Sequence, residues 1–99
     1  MTPRREVRVA PVFFEQLDLQ LGAERGPNGE PSATDFLVMD LPAIVAKFAT
    51  AFDSLPLIDD GVPSARHYIG TGLLVTAVVV YGVELTDGAI ELIGIAIDL

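Results

Sequence analysis

The stretch Leu73-Leu74-Val75-Thr76-Ala77-Val78-Val79-Val80-Tyr81-Gly82-Val83-Glu84-Leu85-Thr86-Asp87-Gly88-Ala89-Ile90-Glu91-Leu92-Ile93-Gly94-Ile95-Ala96-Ile97-Asp98 decides the fold. β-Branched residues dominate it, and Asp87-Gly88 is a favoured two-residue type I′ hairpin turn. The pattern predicts a long strand over 73–85 and a last strand over 89–98. A two-residue loop sets Leu85 opposite Ile90, Val83 opposite Leu92, Tyr81 opposite Gly94 and Val79 opposite Ala96. On the other face Val80 meets Ile95, Val78 meets Ile97, and Glu84 falls directly opposite Glu91. The long strand is apolar on both sides, with Leu73, Val75, Ala77, Val79, Tyr81 and Val83 on one and Leu74, Val78 and Val80 on the other. One side can rest on helices. The other leaves an apolar patch, which a small soluble monomer seldom shows unless it binds something. Leu74, Val78, Val80 and Ile95, with Glu84 and Glu91 as an acidic docking rim, are the candidate partner-binding residues. Closure of the patch by the 54–64 loop or the N-terminus is the alternative.

Upstream, Arg66–Ile69 reads as a short strand and Gly70-Thr71-Gly72 as a turn. At the other end, Val7 and Val9 alternate with Glu6, Arg8 and Ala10, a half-buried strand. Pro11 suits the first turn of a helix, and Phe13, Leu17 and Leu21 then recur at helical spacing until Gly22 or Gly26. Ser32-Ala33-Thr34-Asp35 offers hydroxyl caps and an acid for a second helix over about 34–53, with Leu37, Leu41, Ile44, Val45, Phe48 and Phe52 as its apolar stripe. Pro42 kinks or breaks it, and Asp40 is positioned to cap a restart. A long loop over 54–64 follows. The order is strand, two helices, three strands: one α+β domain over 1–99, with two helices on one face of a small antiparallel sheet.

Ala, Val, Ile, Leu, Met, Phe and Gly make up 57 of the 99 residues, above the ~45–50% usual for soluble domains. The net charge is -8, and no Lys or Arg follows Arg66. Nucleic-acid affinity comes largely from cations that release phosphate counterions, so autonomous nucleic-acid binding is not expected. The absence of Cys excludes disulfides and thiolate chemistry. The uncharged run Tyr68–Val83 is 16 residues long, short of the ~20 a membrane helix needs, and the basic N-terminus is followed by no apolar signal region. A cytoplasmic domain without membrane contact is expected.

His67 is the single histidine, which leaves no two-histidine metal site and no spacing for a Ser-His-Asp triad. It reads as a strand-end residue, with proton transfer the minority reading. Arg66 beside it reads as an ion pair with Asp59 or Asp60, or as an anion or target contact together with His67. Asp53, Asp59 and Asp60 lack calcium-loop spacing. No metal, cofactor or catalytic residue is expected.

Val7-Arg8-Val9-Ala10-Pro11-Val12-Phe13-Phe14-Glu15-Gln16-Leu17 resembles the opening strand and helix of RelE/ParE-type bacterial toxins. Arg66 to Leu74, Val80-Tyr81-Gly82-Val83 and Gly88-Ala89-Ile90-Glu91-Leu92-Ile93-Gly94-Ile95 are similar to that family's closing three-stranded sheet. The resemblance covers nearly the whole chain. It implies the toxin component of a type II toxin-antitoxin system, bound and neutralised by a cognate antitoxin. RelE-type members cleave messenger RNA on the ribosome with basic residues on the sheet and in the C-terminal segment. This chain carries Leu73–Val80 there and ends at Ile97-Asp98-Leu99, so no nuclease residue carries over. The ParE-type branch, which poisons DNA gyrase, fits better, although its basic C-terminal features are missing too. The expectation is a toxin acting by protein–protein contact, with gyrase inhibition favoured. A ribosome-dependent mRNA interferase and a non-toxic homo-oligomeric module are the alternatives.

Overall fold

The computed structural model describes residues 4–98. Met1–Pro3, part of the stretch read for a signal peptide, and Leu99 lie outside them. Strand β1 (Val7–Val9) leads into helix α1 (Pro11–Gln20), followed by α2 (Ala33–Met39), α3 (Leu41–Ala51) and a 3-10 turn (Phe52–Ser54). Strands β2 (Ala65–Gly70), β3 (Ala77–Glu84) and β4 (Ile90–Asp98) complete an α+β domain. The four strands form one sheet in the order β1-β4-β3-β2. It is mixed, because β1 runs parallel to β4 while β2, β3 and β4 are antiparallel.

The helix expected over 34–53 is two helices. Ser32 caps α2 through a reciprocal box: the Asp35 amide donates to Ser32 Oγ at 3.1 Å, and the Ser32 amide donates to the Asp35 carboxylate at 3.0 Å. Pro42 sits in the first turn of α3, where its missing N–H leaves no bond unmade. Asp40, expected to cap the restart, makes no side-chain cap. Its buried carboxylate instead accepts the amides of Leu73 at 2.6 Å and Leu74 at 3.1 Å. That clasp holds Leu73 and Leu74 away from the sheet, so β3 begins at Ala77 rather than Leu73.

The hairpin departs from the expected register near its turn. Leu85 N–H donates to Ala89 O at 2.8 Å and Gly88 N–H to Leu85 O at 3.0 Å, enclosing a three-residue loop. Gly88 adopts φ 87° and no described non-glycine residue has positive φ, so a type I′ turn is not formed. Glu84 therefore opposes Ile90, and Glu91 opposes Val83. A bulge between Tyr81 and Gly82 then admits Ile93 as an extra residue and restores the expected pairs Tyr81–Gly94, Val80–Ile95, Val79–Ala96 and Val78–Ile97. The predicted pairs Leu85–Ile90, Val83–Leu92 and Glu84–Glu91 are not formed.

One core lies between the helices and one face of the sheet. Phe13 and Leu17 of α1, Phe36 of α2 and Phe48 of α3 pack there with Val78, Val80, Ile90, Leu92 and Ile95. The space over Gly82 is taken by Phe48: a Cβ on that glycine would lie 2.5 Å from the ring. β1 covers only Ile90–Leu92, so the rest of the β4 edge has no strand beside it. α1 runs along this edge. Gln16 Oε1 accepts the Ile95 amide at 2.9 Å, Gln20 Oε1 accepts the Ile97 amide at 2.6 Å, and Gln20 Nε2 donates to Ile95 O at 2.8 Å. A Gln20→Ala variant is expected to lose about 1–2 kcal/mol in urea unfolding. Amide exchange should accelerate at Ile97 while the Val80 amide keeps core-level protection; equal acceleration at both would contradict this role.

Candidate functional site

Val78, Val80 and Ile95 are 1%, 0% and 3% exposed. They face the helices, so these three expected partner-binding residues form the core instead. The residues of β3 on the other side, Ala77, Val79, Tyr81 and Val83, are the ones without a helix over them. These four are half-buried, and the side of β3 opposite the helices is the reverse of the one expected. Leu74 is exposed beside the Asp40 clasp and lines a depression with Arg25, Gly29, Pro31, Asp35 and Met39. Glu84 pairs with Arg5 at 2.6 Å at the end of β3. Glu91 lies on the open face opposite Val83 and next to Arg8, far from the role of facing Glu84.

Arg66 makes its hydrogen bonds to backbone carbonyls. Its Nε donates to Pro63 O at 3.0 Å, and Nη1 donates to Asp53 O at 3.0 Å and Leu55 O at 2.9 Å. The guanidinium also lies 5.9 Å from the Phe52 ring centroid. Arg66 thus ties the 53–63 segment to β2 through carbonyls, and the ion pair expected with Asp59 or Asp60 is not made. That segment extends the β2 edge rather than covering the open face: Ile58 N–H donates to Ala65 O, His67 N–H donates to Pro56 O, and Leu55 packs into the core. His67 stands on the open face, edge-on to Tyr81 with ring centroids 6.2 Å apart.

The open face is built in rows by the strand register. Ala65, Val83, Glu91 and Arg8 form one row, and His67, Tyr81 and Gly94 the next. Ile69, Val79 and Ala96 form the third, with Ala77 and Asp98 beyond. Ile93, the bulged residue, is half-buried and takes no part in the core. Tyr81 lies over Gly94, whose absent side chain leaves room for the ring: a Cβ there would sit 3.2 Å from Tyr81 and 3.1 Å from Gln16. Ile69 is 61% exposed. The centre of the surface, Val79, Tyr81 and Ala96, is apolar, with Arg8, Glu91, His67 and Asp98 around it. Among the described residues no three His, Asp or Glu side chains come together to hold a metal ion, and no helix is long and apolar enough to cross a membrane.

Compared with protein-family models, curated proteins and solved structures, the chain matches none. Sequence reading missed Gln16 and Gln20 as the edge of the site; their four-residue spacing on one helix face was the available signal.

Near Leu74, Arg25 Nε donates to Asp35 at 2.9 Å. That bond, with the Ser32 amide, holds the Asp35 carboxyl below its ordinary 3.8, at about 2. A carboxyl depressed in the folded state stabilises above its unfolded pKa and loses that contribution as pH falls through the folded one. Stability should therefore decline between pH 4 and pH 2 at the start of α2. Arg25→Gln should move the Asp35 midpoint, read by carboxyl-carbon NMR, upward toward the ordinary value; an unchanged midpoint would remove Arg25 as the cause.

Proposed function

We propose that the chain is a RelE/ParE-type domain that acts by protein–protein contact inside the cell. In this reading it is the toxin component of a type II toxin-antitoxin pair, directed at DNA gyrase in the ParE manner and neutralised by a cognate antitoxin. The observation that carries the contact reading is the apolar sheet face opposite the helices, where Ile69 is exposed and Val79, Tyr81 and Ile93 are half-buried. The toxin part rests on the element order, a strand and helices followed by three antiparallel strands, and on the sequence resemblance. Messenger-RNA cleavage is disfavoured because it needs cations against the RNA backbone. The single arginine of this face, Arg8, is already held by Glu6 at 3.0 Å and Asp87 at 2.8 Å.

Expression of the chain alone should arrest bacterial growth, co-expression with the adjacent open reading frame should restore it, and the purified chain should inhibit gyrase supercoiling. Unaffected growth with no co-purifying neighbour overturns the toxin reading. Specific cuts in ribosome-bound messenger RNA overturn the gyrase assignment in favour of an interferase. The same open face favours one other reading, a homo-oligomeric module, and a clean monomer in light scattering removes it.

A further inference from the structure

The open face does not stop at the sheet. On α1, Phe13 and Leu17 point into the core while Gln16 and Gln20 bond to the β4 edge. At 100° per residue, Val12 and Leu19 fall on the far side of those glutamines from the core, next to the open sheet face. They are 40% and 87% exposed. Val12 and Leu19 therefore continue the surface of Tyr81, Ile93, Ala96 and Val79 across the sheet edge. Its extent is four strand positions of ~4.8 Å by five or six residues of ~3.3 Å, roughly 15–20 Å each way. That is the footprint of one helix of about 12–14 residues.

The charge left unpaired around this surface is negative. Glu15 stands three residues from Val12 and four from Leu19, on the same helix side. Glu91 and Asp98 flank the sheet part, and none of the three has a cation partner among the described residues. Arg8 is neutralised twice over, by Glu6 and Asp87. A second copy would bring this rim against itself, because a two-fold contact pairs a patch with its own image and supplies no cation. A nucleic acid would meet carboxylates with phosphates. A helix with an apolar stripe flanked by Lys and Arg satisfies both the apolar centre and the rim.

We infer that the outer sheet face, extended by Val12 and Leu19, docks a cationic amphipathic helix of another protein. The inference rests on the contact reading above and is independent of its toxin part. It gives the sheet a second helical layer, which the described residues do not provide.

The test uses the full chain and a 14-residue helical peptide with a Leu stripe flanked by Lys, against the same stripe flanked by Glu. The Lys peptide should shift the amide resonances of Leu19, Val79, Ile93 and Ala96, and its affinity should fall with added salt. Leu19→Lys/Ile93→Lys, both outside the core, should weaken it at least ~10-fold, and Glu91→Gln/Asp98→Asn about 3–5-fold. Thermal unfolding of each variant verifies that it remains folded. Shifts confined to the Leu74 depression or the 59–60 loop overturn the inference. So do equal binding of the Glu peptide and a homodimer that buries these same residues. A chain that binds the Lys peptide but leaves growth unaffected overturns only the toxin reading. One that arrests growth without shifts on this face overturns only this surface.

Discussion

Past Leu92, β4 carries backbone N–H and C=O groups toward a side where β1 has already ended, and Gln16 and Gln20 supply the bonds a strand would have made. An open edge of this kind invites pairing with another chain. Here the cover is a helix whose side-chain amides mimic a neighbouring backbone, each offering a donor and an acceptor. The arrangement fixes α1 in rotation as well as position. With Gln16 and Gln20 committed to the edge, Phe13 and Leu17 must enter the core, and Val12 and Leu19 must leave it. The apolar content on the outside of α1 is thus a consequence of how the edge is closed.

A second constraint acts at the opposite end of the long strand's sequence. Asp40 lies where α2 ends and α3 begins, and it captures the amides of Leu73 and Leu74. A buried carboxylate without partners costs several kcal/mol, whereas one accepting two backbone N–H groups is satisfied. The clasp shortens β3, turns Val75 into the core and leaves Leu73 and Leu74 exposed. It also explains Gly72, since a Cβ there would lie 2.7 Å from the Asp40 carboxylate.

These two devices mark where the sequence was legible and where it was not. The apolar spacing of Phe13 and Leu17, the Ser32–Asp35 box and the break at Pro42 are local signals, and each lies where local physics puts it, whereas Asp87-Gly88 marks the hairpin's position but not its loop length. The distal register of the hairpin was also readable, for a less direct reason: the three-residue loop and the bulge at Ile93 shift the pairing in opposite senses and cancel beyond Tyr81. Which face of β3 is buried was not legible. Both sides are apolar, and a glycine sits under an aromatic ring on each, Gly82 beneath Phe48 and Gly94 beneath Tyr81. The choice depends on where the helices cross, a non-local fact. The parallel pairing of β1 and the reach of Asp40 across 33 residues are non-local in the same way.

The negative charge of the chain acquires a location through the same contacts. Arg5 pairs with Glu84 and Asp53, Arg8 with Glu6 and Asp87, and Arg25 with Asp35, while Arg66 is bonded to three carbonyls. Four of the six cations therefore make bonds that serve the fold. Exposed pairs of this kind contribute little stability, about 0–1 kcal/mol each, so their larger effect is on the field outside the molecule. With Arg5, Arg8 and Arg25 paired to carboxylates, the carboxylates that remain beside the open face, Glu15, Glu91 and Asp98, set its sign. The net charge of -8 would attract any cation, but an apolar centre within an acidic rim selects one that also brings an apolar stripe. Charge then governs the rate of encounter and the rejection of wrong partners, while Tyr81, Ile93, Val79 and Leu19 supply the buried area that holds the right one.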